Sequence, residues 1–95
     1  MLESLKLQEL ARTIVLNRLP SVELESVQTE GFTSSEGEDA LRITLVLTPE
    51  TVEAITGDDA LKLLLEINDS LRREGDERFA IVEYTTADDV PVDED

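Results

Sequence analysis

Residues 41–48 read Leu-Arg-Ile-Thr-Leu-Val-Leu-Thr, and this stretch decides the fold class. Leucine and isoleucine fill every odd position, so one face of an extended segment is wholly apolar. Thr48, Pro49 and Glu50 then supply a hydroxyl cap, a proline suited to the first helical turn and an acid at the positive end of the helix dipole. The stretch predicts a strand that leads directly into a helix.

Downstream of this strand the pattern predicts a helix in two pieces. The break falls at Thr56 and Gly57, after which Asp58 is expected to cap a longer helix that ends at Gly75. The predicted apolar face of this longer helix consists of Leu61, Leu64, Ile67, Asn68 and Leu71. Among these leucines, Asn68 is expected to be a satisfied amide or a polar rim residue.

The last strand, predicted over residues 78–85, is apolar on both faces. Phe79 and Ile81 lie on one face, and Ala80, Val82 and Tyr84 lie on the other. Such a composition is typical of a strand inside a sheet or of one covered on both sides, for example by a partner subunit. The Tyr84 hydroxyl is expected to reach water from a half-buried ring.

Upstream, residues 3–18 have the spacing of an amphipathic helix that Pro20 ends. Its predicted apolar stripe is formed by Leu7, Leu10, Ala11, Ile14 and Val15. Residues 21–29 alternate as a strand, but Val27 falls on the acidic face, which indicates a bulge or a strand end covered on both sides. Residues 30–40 predict a turn-rich loop from which Phe32 is expected to fold back onto the core rather than serve as an exposed binding anchor.

These elements predict a two-layer α+β domain, with helices packed on one face of a three-stranded mixed sheet. The order helix, strand, strand, split helix, strand resembles that of the type II KH domain. In that family a Gly-x-x-Gly loop between two helices clamps nucleotides. The matching residues here, 56–59, read Thr-Gly-Asp-Asp, so the resemblance implies the topology and leaves the nucleotide clamp without its residues.

Acidic residues outnumber basic ones 23 to 8 in this chain of 95 residues, and histidine, cysteine and tryptophan are absent. Histidine and cysteine supply much of general acid–base and nucleophilic catalysis. We therefore expect no enzyme activity, no catalytic residue, no metal and no cofactor. The acids of residues 36–39 do not match a calcium loop, and Asp58 and Asp59 are better explained as helix-capping residues than as metal or phosphate ligands.

The formal net charge of −15 repels phosphate backbones and attracts basic protein surfaces. Strongly acidic composition is also common in proteins that are merely soluble. The first residues do not read as a secretory signal, no apolar run reaches bilayer length, and cysteine is absent, so we expect a cytoplasmic protein. Residues 1–86 are predicted to form one domain and residues 87–95 an acidic flexible tail, whose Val-Pro-Val segment (90–92) is alternatively an extended segment lying on a partner.

The sequence favours a non-catalytic interaction module: a small accessory subunit, an inhibitor or antitoxin-like protein that binds a basic partner, or a self-associating protein. The alternatives are a KH-like nucleic-acid-binding domain without the glycine clamp, and a small ligand-binding domain or carboxylate enzyme. The candidate interaction residues are Phe32, Glu36, Glu38, Asp39, Phe79, Ile81 and Tyr84.

Overall fold

A computed structural model describes residues 2–89, and within this range the chain forms three α-helices and three strands. They are α1 (Ser4–Arg18), β1 (Leu24–Thr33), β2 (Asp39–Leu47), α2 (Pro49–Ala54), α3 (Gly57–Arg73) and β3 (Phe79–Thr86). Ala87–Asp89 add one 3-10 turn, and the rest of the predicted tail, including the Val-Pro-Val segment, lies outside the described residues.

The strand order is β1-β2-β3, with β2 antiparallel to β1 and parallel to β3. Helix α1 packs against β1, and α3 packs against both α1 and β3. The predicted two-layer α+β fold with a mixed sheet is therefore confirmed. The composition of β3 left two alternatives, an interior strand or a strand covered on both sides. Within residues 2–89 β3 is an edge strand, so the first alternative does not hold there.

The core lies between the helices and the face of β2 that the alternation pattern predicts. All four odd-numbered apolar side chains of β2 are buried: Leu41, Ile43, Leu45 and Leu47. From the helices, α1 buries Leu7, Ala11, Ile14 and Val15, and α3 buries Leu63, Ile67 and Leu71. The predicted α1 stripe is confirmed apart from Leu10, which is half-buried.

The predicted face of α3 is wrong in its second turn, at residues 61–64. Leu63 is fully buried, whereas Leu61 is 53% exposed and Leu64 is half-buried. Leucines occupy positions 61, 63, 64 and 65, so this turn is apolar in nearly every direction and spacing alone cannot orient it. The i, i+4 series that begins at Leu63 and continues through Ile67 faces the sheet.

The β1–β2 hairpin is longer than predicted. Glu30 and Phe32 belong to β1, opposite Arg42 and Ala40, so the loop shrinks to residues 34–38, with Gly37 in the left-handed region. Turn-forming composition predicted a loop from residue 30, but cross-strand pairing overrides that local preference. The irregularity inferred from Val27 is confirmed: the register shifts between Leu24 and Ser26, which brings Val27 onto the buried face.

The helix ends follow the predicted chemistry with one change of residue. Thr48 caps α2, and its hydroxyl accepts from the Thr51 N–H at 3.3 Å. Helix α3 begins two residues earlier than predicted, because Thr56 rather than Asp58 is its cap. The Thr56 hydroxyl accepts from the Asp59 N–H at 3.0 Å, and the Asp59 carboxylate accepts from the Thr56 N–H at 3.2 Å. Gly75, at φ 86°, ends α3 as predicted.

A buried ion pair that the sequence did not predict ties the start of the chain to the start of β3. The Asp76 carboxylate accepts from the Arg78 Nη2 at 2.6 Å and Nε at 3.0 Å, from the Arg78 backbone N–H at 3.1 Å, and from the Leu2 N–H at 2.9 Å. Arg78 also donates to the Leu2 carbonyl at 3.0 Å. The hydrogen bonds from the Arg78 side chain hold the pKa of Asp76 well below its ordinary value, although burial opposes this shift.

Candidate interaction surface

Three of the predicted interaction residues meet on the face of the sheet that is turned away from the helices. In the strand register, Ala40 lies between Phe32 and Phe79, and Ile81 lies next to Arg42. Because side chains alternate along a strand, Phe32, Phe79 and Ile81 share this face, and we call these three residues the outer patch. Phe79 is 38% exposed, and none of the three belongs to the hydrophobic core. The expectation that Phe32 folds back onto the core is therefore wrong.

Arg42 organises the middle of this face. Its guanidinium lies 4.8 Å from the centre of the Phe32 ring, in a cation–π arrangement. Its Nη1 lies 2.9 Å from a Glu30 carboxylate oxygen, and its Nε lies 3.5 Å from a Glu83 carboxylate oxygen. Exposed pairs of this kind contribute little to stability, so their main effect is to fix where the charges and the Phe32 ring lie.

The acids predicted as interaction residues cluster near one end of the outer patch. Glu38 and Asp39 line a cavity of about 540 Å³ together with Arg78 and Phe79. Asp39 and Arg78 also line a cavity of about 290 Å³ beside Phe32. Glu36 is exposed in the hairpin loop and lines neither cavity. The structure thus joins Phe32, Phe79, Glu38 and Asp39 into one surface, with Ile81 continuing it along β3.

Tyr84 belongs to a different site, on the helix side of β3. With Ala60, Leu61, Leu64 and Val82 it lines an apolar groove of about 260 Å³, which we call the edge groove. This groove also reaches Ile81 of the outer patch, so Ile81 borders both sites. The Tyr84 hydroxyl is buried and has no hydrogen-bond partner among residues 2–89, so the expectation that it reaches water is wrong. Burial, with a smaller effect from the nearby Asp59 carboxylate, raises the pKa of Tyr84.

The polar residue predicted on α3, Asn68, binds the edge of β3. Its side-chain oxygen accepts from the Ala80 N–H at 2.8 Å, and its Nδ2 donates to the Ala80 carbonyl at 3.1 Å. The same Nδ2 donates to the Leu64 carbonyl at 2.9 Å. The prediction of a satisfied amide is confirmed, but its partner on β3 could not be identified from the sequence.

The chemistry available in the part of the chain that the structure describes is limited. Clear pKa shifts fall on Asp76, Arg78 and Tyr84; the first two are joined in the buried ion pair, and the third has no hydrogen-bonded base beside it. Between residues 2 and 89 there is no cluster of three acidic, histidine or cysteine side chains able to hold a metal ion. No helix in that range combines the length and apolar character needed to cross a membrane.

Comparison of the chain with protein-family models, with curated proteins and with solved structures gives no match. The function must therefore be inferred from the surfaces described above.

Proposed function

We propose that this protein is a non-catalytic interaction module that binds a basic protein partner through the outer patch and the acids beside it. The observation that carries this proposal is the position of Phe79. An aromatic ring 38% exposed on the sheet face turned away from the core borders a cavity whose acidic lining includes Glu38 and Asp39. Aromatic anchors surrounded by polar residues are typical of the energetic centres of protein interfaces.

Charge supports a basic partner over an acidic or neutral one. Five acids lie on or beside the outer patch, against two arginines: Glu30, Glu38, Asp39, Glu77 and Glu83. Arg78 is already bound to Asp76, and Arg42 is shared between Glu30 and Glu83. The surface field is therefore negative, which increases the rate of encounter with a positive surface and penalises an acidic one.

The nucleic-acid-binding alternative has less support. The residues at the position of the KH clamp form the cap of α3, where Asp58 and Asp59 add negative charge to a helix start that would otherwise attract phosphate. The small-ligand alternative could use the edge groove, which has no charged side chain in its lining, or an open cavity of about 440 Å³ between α1 and the end of α3.

A capture experiment with matched variants tests the proposal. The full-length chain is immobilised and exposed to lysate at about 50 mM salt, then washed at about 500 mM, because such pairing is screened as the Debye length shortens. Phe79→Ser is compared with Leu5→Ser, which alters a leucine 68% exposed on α1.

We expect the natural chain to capture basic proteins that elute at high salt. Phe79→Ser should lose this capture, whereas Leu5→Ser should retain it. Equal capture by both variants, or captured proteins that are acidic and indifferent to salt, would contradict the proposal. Retention of labelled single-stranded RNA at low salt would favour the KH-like alternative instead.

A further inference from the structure

The hydrogen bonds of Asn68 reveal which backbone groups of β3 point away from the sheet. Asn68 binds both the N–H and the carbonyl of Ala80, so these two groups face away from β2. Successive residues of a strand direct their backbone groups to opposite sides in the plane of the sheet. Val82 and Tyr84, two and four residues further on, therefore also present their N–H and carbonyl groups at the outer edge.

These groups of Val82 and Tyr84 have no hydrogen-bond partner among residues 2–89. The sheet ends at β3, and neither the hydrogen bonds between backbone groups nor those from side chains reach them. An uncovered edge is a ready template for another strand, and many proteins protect such edges with charge, bulges or a covering loop. Here the side chain of Asn68 covers Ala80 only.

The edge groove lies directly beside these uncovered backbone groups. The side chains of Val82 and Tyr84 lie on the face of β3 that is turned toward the helices. Together with Leu61 and Leu64 of α3 they line the edge groove. Leu61 is 53% exposed although it lines an apolar groove. A strand placed next to β3 would direct every second side chain toward these leucines.

We propose that the edge of β3 binds an extended segment of the basic partner as an added strand, with the pattern apolar, Lys or Arg, apolar opposite Val82, Glu83 and Tyr84. This inference rests on the proposed function and specifies how the partner is recognised. The two apolar side chains enter the edge groove, and main-chain hydrogen bonds join the segment to β3. The basic side chain lies on the other face, opposite Glu83, whose side chain is 54% exposed and whose carboxylate oxygen is 3.5 Å from the Arg42 Nε.

Charge also argues against a second copy of this chain, and against a nucleic acid strand, as the occupant of this edge. A second copy of the chain would bring together two molecules that each carry a net charge of −15, and pairing β3 with β3 would place acidic strands side by side. A nucleic acid strand would find no lysine or arginine in the lining of the groove, and the acids of the α3 cap lie nearby.

The test uses a labelled peptide, Ser-Thr-Val-Lys-Val-Thr-Ser, titrated to about 1 mM against the full chain by fluorescence anisotropy. Leu61→Ser is compared with Leu65→Ser, since both leucines are exposed on α3 and only Leu61 lines the groove. We expect Leu61→Ser to weaken binding about tenfold and Leu65→Ser to change it less than about twofold. Replacing the peptide lysine with glutamate should abolish binding.

Methylation of the peptide backbone tests strand pairing itself. In a strand, the N–H groups of the lysine and of the valines point to opposite sides, so N-methylation at one of the two positions should abolish binding while the other is tolerated. Which position is sensitive reports whether the segment runs parallel or antiparallel to β3.

Three results would overturn the inference: binding that tolerates methylation at both positions, binding unaffected by Leu61→Ser, and no binding at all. An oligouridylate bound in a Leu61-dependent manner, or a dimer that Leu61→Ser dissociates, would assign the groove to another occupant. If Phe79-dependent capture of a basic partner persists while the peptide does not bind, only the edge proposal fails.

Discussion

Replacing Asp76 with asparagine should be the most damaging single charge change in the described fold. Asp76 is fully buried and accepts three hydrogen bonds from Arg78 and one from the backbone of Leu2. Asparagine keeps one oxygen acceptor but loses the negative charge. The Arg78 side chain, only 13% exposed, would then lack its counter-charge. Because Arg78 also holds the Leu2 carbonyl, the attachment of the first residues to β3 should loosen as well.

The expected loss of stability depends on which interactions Asp76→Asn leaves in the folded state. Removing one partner of a buried ion pair typically costs 3–5 kcal/mol, and the oxygen that asparagine retains places Asp76→Asn near the lower end, at about 3 kcal/mol. Domains of this size have total stabilities of about 5–15 kcal/mol. The melting temperature should therefore fall by roughly 12–24 °C, at about 4–8 °C for each kcal/mol.

The assay is urea denaturation of the full chain, with Asp69→Asn as the matched control. Asp69 pairs with Arg73 at 3.5 Å on the surface, and its loss should change the free energy of unfolding by less than about 0.5 kcal/mol. Arg78→Met and the double variant complete a cycle. The double variant should lose less than the sum of the single losses, because removal of both charges leaves neither one buried alone.

Acid titration gives an independent measure of the same pair. The pKa of Asp76 is lowered in the folded state, so its contribution is fully present above its ordinary value of 3.8 and is lost as the pH falls below that value. The difference in stability between the natural chain and Asp76→Asn should therefore be constant near neutral pH and narrow below about pH 4. A loss under about 1 kcal/mol at neutral pH, or a difference that grows on acidification, would refute this account of the ion pair.

Three smaller changes follow from the same structure. Thr56→Ala removes the α3 cap that binds the Asp59 N–H, and the free energy of unfolding in urea should fall by about 1 kcal/mol. Tyr84→Phe removes a buried hydroxyl without a partner, so calorimetry should give an unchanged or higher melting temperature, whereas a clear decrease would mean that the hydroxyl is bonded. Asn68→Leu leaves the edge groups of Ala80 unpaired, which should reduce stability by about 1–3 kcal/mol and accelerate hydrogen exchange at the Ala80 amide.

Much of the fold could be predicted because its elements carry strong local signals. The alternation in residues 41–48 gave the central strand with its buried face, and Thr48, Pro49 and Gly75 gave the helix ends. The position of β3 beside β2 could not be predicted, because an apolar strand carries no signal for its neighbour. The face of α3 was ambiguous for a related reason: four leucines within one turn and a half allow several orientations, and only packing against the sheet selects Leu63.

The polar contacts of Asp76 and Asn68 show which part of the structure could not be predicted from sequence. An aspartate directly after a helix-ending glycine can accept from the N–H two residues on, as Asp76 does with Arg78, so a local signal for this turn was present although the turn was not predicted. The second half of the site, the Leu2 backbone, lies 74 positions away and carries no side-chain signal. Asn68 likewise meets Ala80 only after α3 has docked beside β3. For the candidate surface, alternation along β3 was enough to place Tyr84 on the face opposite Phe79, but the meeting of Phe32 with Phe79 across Ala40 could not be predicted.

The composition of β3 links the outer patch to the edge groove. An interior strand needs apolar side chains on both faces, as β3 has with Phe79 and Ile81 on one and Val82 and Tyr84 on the other. In the part of the chain that the structure describes, however, β3 has a neighbouring strand on one side only. Glu83 is the single charged residue of β3. Its negative charge opposes pairing between two copies of the strand and favours a partner strand that carries a lysine or arginine. A partner strand added at Val82 and Tyr84 would give β3 the second neighbour that its side chains suit. The apolar character that suggested an interior strand is therefore accounted for if β3 becomes interior in the complex.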